Sequence, residues 1–132
     1  MTSLTQNEEE KDLLNDFADS FKEAEEFIKK AEVDTKNRYT AGIVKISGVF
    51  LPAIDELRYA GCHISRYIQQ KSKKQPKKEL KDELTKAIEH CKRAKFDAID
   101  CIIQFYLQEC AQFQNDYKGI TIGDIIPDYQ DL

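Results

Sequence analysis

The feature that most constrains this chain is an uninterrupted helical pattern from Leu80 to Tyr117, followed by Gly119. Apolar residues recur in it at steps of three and four, as they do on the buried face of an amphipathic helix. Neither proline nor glycine interrupts the pattern, which predicts one helix of roughly 55 Å at 1.5 Å per residue. The apolar stripe comprises Leu80, Leu84, Ala87, Ile88, Cys91, Ala98, Ile99, Ile102, Phe105, Tyr106 and Phe113.

A second apolar stripe occupies only the later half of this helix, about 100° around from the first. It comprises Phe96, Ile103, Leu107 and Cys110. The later half therefore needs two apolar partners. Either the segment 34–50 and the C-terminal tail cover Phe96, Ile103 and Leu107, or a second copy does. We favour the second copy, because a symmetric dimer is the commonest soluble oligomer.

Two further helices complete the predicted fold. Phenylalanines on an apolar face, after a capping box at Thr5-Gln-Asn-Glu8, predict a helix over 6–32. Pro52 suits the first turn of a helix over 51–71. A polar hairpin then makes this helix the antiparallel neighbour of the long one, at 78–117. We predict an all-α, up-down bundle with a packed connection at 34–50 and a docked C-terminal tail.

Composition bounds the class of protein. A chain of 132 residues with 33% charged residues fits one soluble helical domain, 1–132. No apolar run is long enough to span a membrane, and the acidic N-terminal segment does not resemble a signal peptide. We expect a cytoplasmic protein with reduced cysteines, and we find no internal repeat. The net charge of −4 argues weakly against a dedicated nucleic-acid binder.

Most enzyme classes lack their signature in this chain. It contains no glycine-rich phosphate loop, GxSxG, HExxH or CxxC, and we expect no cofactor. Each histidine adjoins a cysteine, in Cys62-His63 and His90-Cys91, and folding about Pro76 brings His63 level with His90. Neighbouring helical residues diverge by about 100°, so a cysteine and its adjacent histidine do not readily face one ion. We predict packed thiols and no metal site.

The spacing Arg58-Tyr-Ala-Gly-Cys-His63 places an R-x4-H on the second predicted helix. Histidine transfers protons near neutral pH, and arginine can hold a phosphate through two hydrogen bonds. On a helical wheel Arg58 and His63 lie about 140° apart. The outward face that carries His63 also carries Tyr59, Arg66 and Tyr67. The two residues are either a solvated arginine and a surface histidine, or a catalytic pair completed across a dimer.

On these two residues the chain resembles the HEPN family, small helical-bundle domains whose nuclease members carry an R-x4–6-H motif. The resemblance implies a homodimer and metal-independent cleavage of RNA, with Arg58 and His63 acting on the scissile phosphate. It also implies a role in a toxin or phage-defence system. Tyr59 departs from the family pattern, in which a polar residue often follows the arginine. Members of the family also serve as inactive binding partners.

Other polar residues are candidates for binding by position. His90, Arg93 and Asp97 are expected near the level of Arg58 and His63. The basic hairpin can attract RNA or an acidic protein, although it offers no aromatic side chain on which a base can stack, so a solvated turn is the alternative. The candidate binding residues are Tyr59, Arg66, His90, Arg93, Lys73, Lys74, Lys77 and Lys78.

Two functions remain open. The first is a non-catalytic helical-bundle module for interaction or dimerisation, in which Arg58 and His63 have no essential role. The second is the metal-independent RNase, which needs both residues to converge on a basic cleft. We favour the module, because no feature of the sequence requires catalysis.

Overall fold

The structure, a computed structural model, describes residues 2–39, 51–73 and 80–126. These residues form α1 (Thr2–Tyr39), α2 (Leu51–Lys71), α3 (Leu80–Asp116) and the short α4 (Ile122–Ile125), and no strand occurs among them. The predicted all-α helical bundle is confirmed. No helix in the described ranges is both long and apolar enough to cross a membrane.

The limits of α2 and α3 agree closely with the sequence prediction. Pro52 lies in the first turn of α2, where its missing N–H leaves no hydrogen bond unmade. After α3, Gly119 adopts a φ of +89°, a conformation that suits glycine, and the Ile120 amide donates to the Tyr117 carbonyl at 3.0 Å. The chain therefore stops α3 with a glycine turn.

The predicted limits of α1 are too narrow. The helix begins at Thr2, so the expected capping residue Thr5 lies inside it, and it continues to Tyr39 through part of the expected connection. No glycine or proline occurs before Gly42, and the polar residues there disfavour a helix by at most about 0.7 kcal/mol each. Residues 40–50, the rest of that connection, lie outside the described residues.

The chain divides into two compact units, Met1–Ile102 and Ile103–Leu132. The single domain expected from the sequence stays a prediction. In the first unit, one apolar cluster joins Ile28 of α1 to Ala53 and Ala98. In a second cluster, Phe17 of α1 packs against a buried group formed by Ala60 of α2 with Ala87 and Cys91 of α3. Early α1 thus meets late α2, and late α1 meets early α2, so α2 runs antiparallel to α1.

Ion pairs give the direction of the third helix. Lys81 donates to Glu9, and Lys95 donates to Glu23 at 3.0 Å, and both pairs are 72 residues apart in sequence. A constant offset between α1 and α3 means that these helices are parallel. The first unit is therefore an up-down-up arrangement of three helices.

The second unit contains the end of α3 and the short α4. Phe105 is buried, whereas most residues from Ile103 to Asp116 are exposed. Before α4, the backbone N–H and the hydroxyl of Thr121 both donate to the Asp124 carboxylate at 2.9 Å, and these bonds lower its pKa. Ile120 and Ile126 are exposed. The docking of the C-terminal tail on the bundle stays a prediction.

Candidate functional site between α2 and α3

The polar contacts between α2 and α3 centre on two histidines and two glutamates. Nδ1 of His63 lies 2.7 Å from Oε2 of Glu83, and Nδ1 of His90 bonds to Oε2 of Glu56. The two imidazole rings stack, with centroids 5.2 Å apart and planes inclined by 15°. All four side chains are between 14 and 20% exposed, so they are screened from most of the solvent. We call these four residues the Glu–His cluster.

The carboxylates determine which ring nitrogen carries a hydrogen. An ionised carboxylate only accepts hydrogen bonds, so each Nδ1 must be the donor. In a neutral imidazole this leaves Nε2 with a lone pair. Each histidine therefore has a fixed orientation and one nitrogen able to accept a proton.

A short repeat in the sequence explains why the contacts are reciprocal. The pattern Asp-Glu-Leu-x-x-Ala-x-x-His-x-x-Arg occurs at 55–66 and again at 82–93. Glutamate and histidine are seven residues apart in each copy, about two helical turns, so they share one face. Because α2 and α3 are antiparallel, the glutamate of each helix meets the histidine of the other. The expectation of no internal repeat is therefore wrong. The seven-residue spacing of glutamate and histidine is the sequence pattern that indicates these contacts.

Aromatic and charged groups surround one half of the cluster. The Tyr59 ring lies 5.5 Å from the His90 ring, and the Arg58 guanidinium lies 4.8 Å from the Tyr59 ring centroid. Burial, and then the nearby negative charge of Glu56 and Asp100, raise the pKa of Asp97. The Glu56 side of the cluster is therefore the more acidic side.

The structure separates the two residues of the R-x4-H spacing. The Arg58 side chain is 62% exposed and pairs with Asp55 at 3.5 Å, one turn earlier in α2. His63 instead points toward α3, where Glu83 and His90 contact it. The prediction that His63 lies on the outward face of α2 is wrong. The positions of the apolar residues alone do not show which polar side chains face another helix. The prediction that His63 and His90 lie at the same height along the two helices is confirmed.

The other predicted binding residues divide between the surface and the interior. Tyr67 was expected on the outward face, but it is buried and donates to Glu10 of α1. Arg66 and Arg93 are exposed, as is Lys73 in the turn after α2. Lys74, Lys77 and Lys78 lie outside the described residues. Of the four lysines predicted for binding, only Lys73 therefore lies among the described residues.

The residues predicted for a dimer interface are exposed in the chain. Phe96, in the first unit, is 62% exposed. In the second unit, Ile103 is 50% exposed and Leu107 is 62% exposed. All three side chains are thus at least half exposed, as the residues of a dimer interface are in a single copy.

The prediction that the cysteines beside the histidines are packed thiols is confirmed for Cys91 and wrong for Cys62. Cys62 is exposed and Cys91 is buried, and burial raises the pKa of Cys91 to about 11. Among the described residues, no three histidine, cysteine, aspartate or glutamate side chains are arranged to hold a metal ion. The geometry of the Glu–His cluster suits two uses: it can fix the pairing of α2 with α3, or it can transfer protons.

Comparisons with protein families, curated proteins and solved structures found no match.

Proposed function

We propose that this protein is a non-catalytic helical interaction module that forms a homodimer through the end of α3. The observation that carries the proposal is the exposure of large apolar residues within one short stretch. Five of them are between 44 and 62% exposed, and Cys110 lies among them. We call this surface the distal α3 face: Ile103, Tyr106, Leu107, Cys110, Phe113 and Tyr117.

The spacing of these residues supports a single contact surface. They follow one another at steps of one, three or four, which keeps them on one side of a helix. Phe105 is buried on a different side of the same helix. Scattered exposed apolar residues are normal on a protein, but a contiguous apolar patch marks an interaction site.

The contacts of the Glu–His cluster support a non-catalytic role. Each Nδ1 is bonded to a carboxylate of the facing helix, and the two rings face each other. Partly buried polar pairs of this kind select one helix register, because a shifted register would leave them without partners. Arg58, the residue needed to hold a phosphate, is paired with Asp55 in the same helix.

A cytoplasmic location fits this proposal. Cys62 and Cys110 are exposed free thiols, and such thiols persist in a reducing compartment.

Sedimentation equilibrium of the purified protein tests the proposed homodimer. We expect wild type to dimerise reversibly and Leu107→Glu to remain monomeric, because each copy would place a charge in an apolar interface. The matched control is Ile68→Glu in α2, since Ile68 is 60% exposed and Leu107 is 62% exposed. The control should dimerise like wild type. A wild-type protein that stays monomeric at all concentrations, or equal dimerisation of both variants, would overturn the proposal.

A second candidate function is metal-independent cleavage of RNA, as the HEPN resemblance implies. The observation that favours it is the orientation of His63, because the bond to Glu83 leaves Nε2 available for proton transfer. His90 is oriented in the same way by Glu56, so one imidazole can act as base and the other as acid. Arg58 would then have to stabilise the phosphate from the second copy, since in its own chain it faces Asp55.

The RNase is tested by incubating a labelled single-stranded RNA pool with the protein in EDTA. His63→Ala and His63→Gln, purified identically, control for contaminating nuclease. If the RNase is correct, wild type cleaves, both variants lose cleavage and Arg58→Ala is strongly weakened. Equal cleavage by all four proteins, or by none, would remove this candidate and leave the interaction module.

A further inference from the structure

The exposed residues of the distal α3 face also follow a regular spacing in the sequence. Ile103, Tyr106, Cys110, Phe113 and Tyr117 follow at steps of three, four, three and four. This is the spacing of a seam between two helices that pack side by side. Leu107 lies beside the seam, one residue after Tyr106. None of these six side chains is charged, so the seam can be removed from water without a buried ion.

We infer that two copies of the chain pack antiparallel along this seam, with the twofold axis near Leu107. The inference rests on the proposed homodimer and specifies its geometry. Centred between Tyr106 and Cys110, the antiparallel arrangement places Ile103 against Phe113 of the second copy. It also places Tyr106 against Cys110 of the second copy, and Leu107 beside its own equivalent.

Side-chain volume is the reason for this orientation. The antiparallel arrangement sets the aromatic side chains of Phe113 and Tyr106 against the smaller side chains of Ile103 and Cys110, as close packing requires. A parallel arrangement would set tyrosine against tyrosine and phenylalanine against phenylalanine, and it would leave two cysteines facing each other across a gap. Overfilled and underfilled layers both destabilise a packed interface.

The surface also has the property that a second copy of the chain demands. A twofold interface uses one patch twice, so that patch must be complementary to itself. From Ile103 to Phe113 the seam alternates between smaller and larger side chains, so a copy that runs in the opposite direction sets a larger side chain against each smaller one. The buried area would be roughly 1,000 Å² for both copies together, at the lower end for specific interfaces. We therefore expect a reversible dimer.

Disulfide formation between single-cysteine variants tests the orientation. In a Cys62→Ser background, one protein keeps the native Cys110 and the other combines Tyr106→Cys with Cys110→Ser. Cys91 and Cys101 remain in both proteins because they are buried. A disulfide needs β-carbons about 4 Å apart, so it reports which positions face each other. Mild oxidation is followed by non-reducing electrophoresis, with sedimentation of the same samples before oxidation.

The antiparallel geometry predicts covalent dimers only when the two proteins are mixed, because position 106 faces position 110. Covalent dimers from each protein alone would show a parallel pair. Dimers in sedimentation with no crosslink in any sample would place the contact on another surface. A parallel pair overturns the antiparallel geometry and leaves the homodimer through the end of α3 standing, whereas a contact on another surface overturns both. Monomers in every sample would overturn both.

Discussion

The first compact unit of this chain holds partly buried polar pairs between its helices, whereas the second exposes a row of large apolar side chains. In the first unit, charged and polar groups lie between helices, where Glu56 and Glu83 bond to the histidines of the facing helix. In the second unit, large apolar groups such as Leu107 and Phe113 lie exposed. A polar cluster that is satisfied within the chain needs no partner. Exposed apolar residues gain free energy only when another surface covers them.

Truncation of a leucine in each unit should give the largest contrast. Leu84 is fully buried, so Leu84→Ala should lower the free energy of unfolding by about 2–5 kcal/mol. Leu107→Ala should change it by less than about 0.5 kcal/mol at low protein concentration, because the side chain already contacts water. Urea unfolding followed by circular dichroism measures both. Equal losses would remove the distinction between the units.

Thiol reactivity should sharpen the comparison. At pH 8 the exposed Cys62 and Cys110 should react with a thiol reagent at least about 100-fold faster than Cys91 and Cys101. Burial raises the pKa of both slow thiols, to about 11 for Cys91, so little thiolate is present. Raising the protein concentration should slow the reaction of Cys110 with the reagent and leave that of Cys62 unchanged. Four thiols that react at one rate would contradict the described burial.

Double-mutant cycles should measure the Glu–His cluster. In the Glu56–His90 pair and in the Glu83–His63 pair, each residue is replaced by alanine singly and then both are replaced together. We expect coupling energies of about 1–2 kcal/mol. The repeat predicts similar values for the two pairs, since each contains the same contact. A coupling energy near zero would mean that the cluster does not hold α2 against α3.

Replacement of Asp97 should give the smallest effect. Its raised pKa means that the folded state disfavours the ionised carboxylate, so ionisation lowers stability above that pKa. Asp97→Asn should therefore stabilise the protein by about 0.5 kcal/mol at pH 7. The gain should vanish as the pH falls below about 4, where the unfolded-state carboxyl is also protonated. Urea unfolding at several pH values checks both the sign and the pH window.

The sequence predicts the helices of this protein better than the direction of its polar side chains. Pro52 and Gly119 mark helix ends because their backbone constraints act locally. The end of α1 was missed because Val33–Tyr39 contains no such residue. His63 was assigned to the surface because its partner, Glu83, is 20 residues away. The repeated Glu-x6-His spacing was the one local sign of that contact.

Hydrogen exchange at two protein concentrations tests the central claim most directly. Wild type is compared with Leu107→Glu, and peptides covering 84–101 and 103–117 are followed by mass spectrometry. The dimer predicts that 84–101 is protected at both concentrations, while protection of 103–117 rises with concentration in wild type only. Protection of 103–117 that does not depend on concentration, or that rises equally in Leu107→Glu, would contradict a second copy on the distal α3 face.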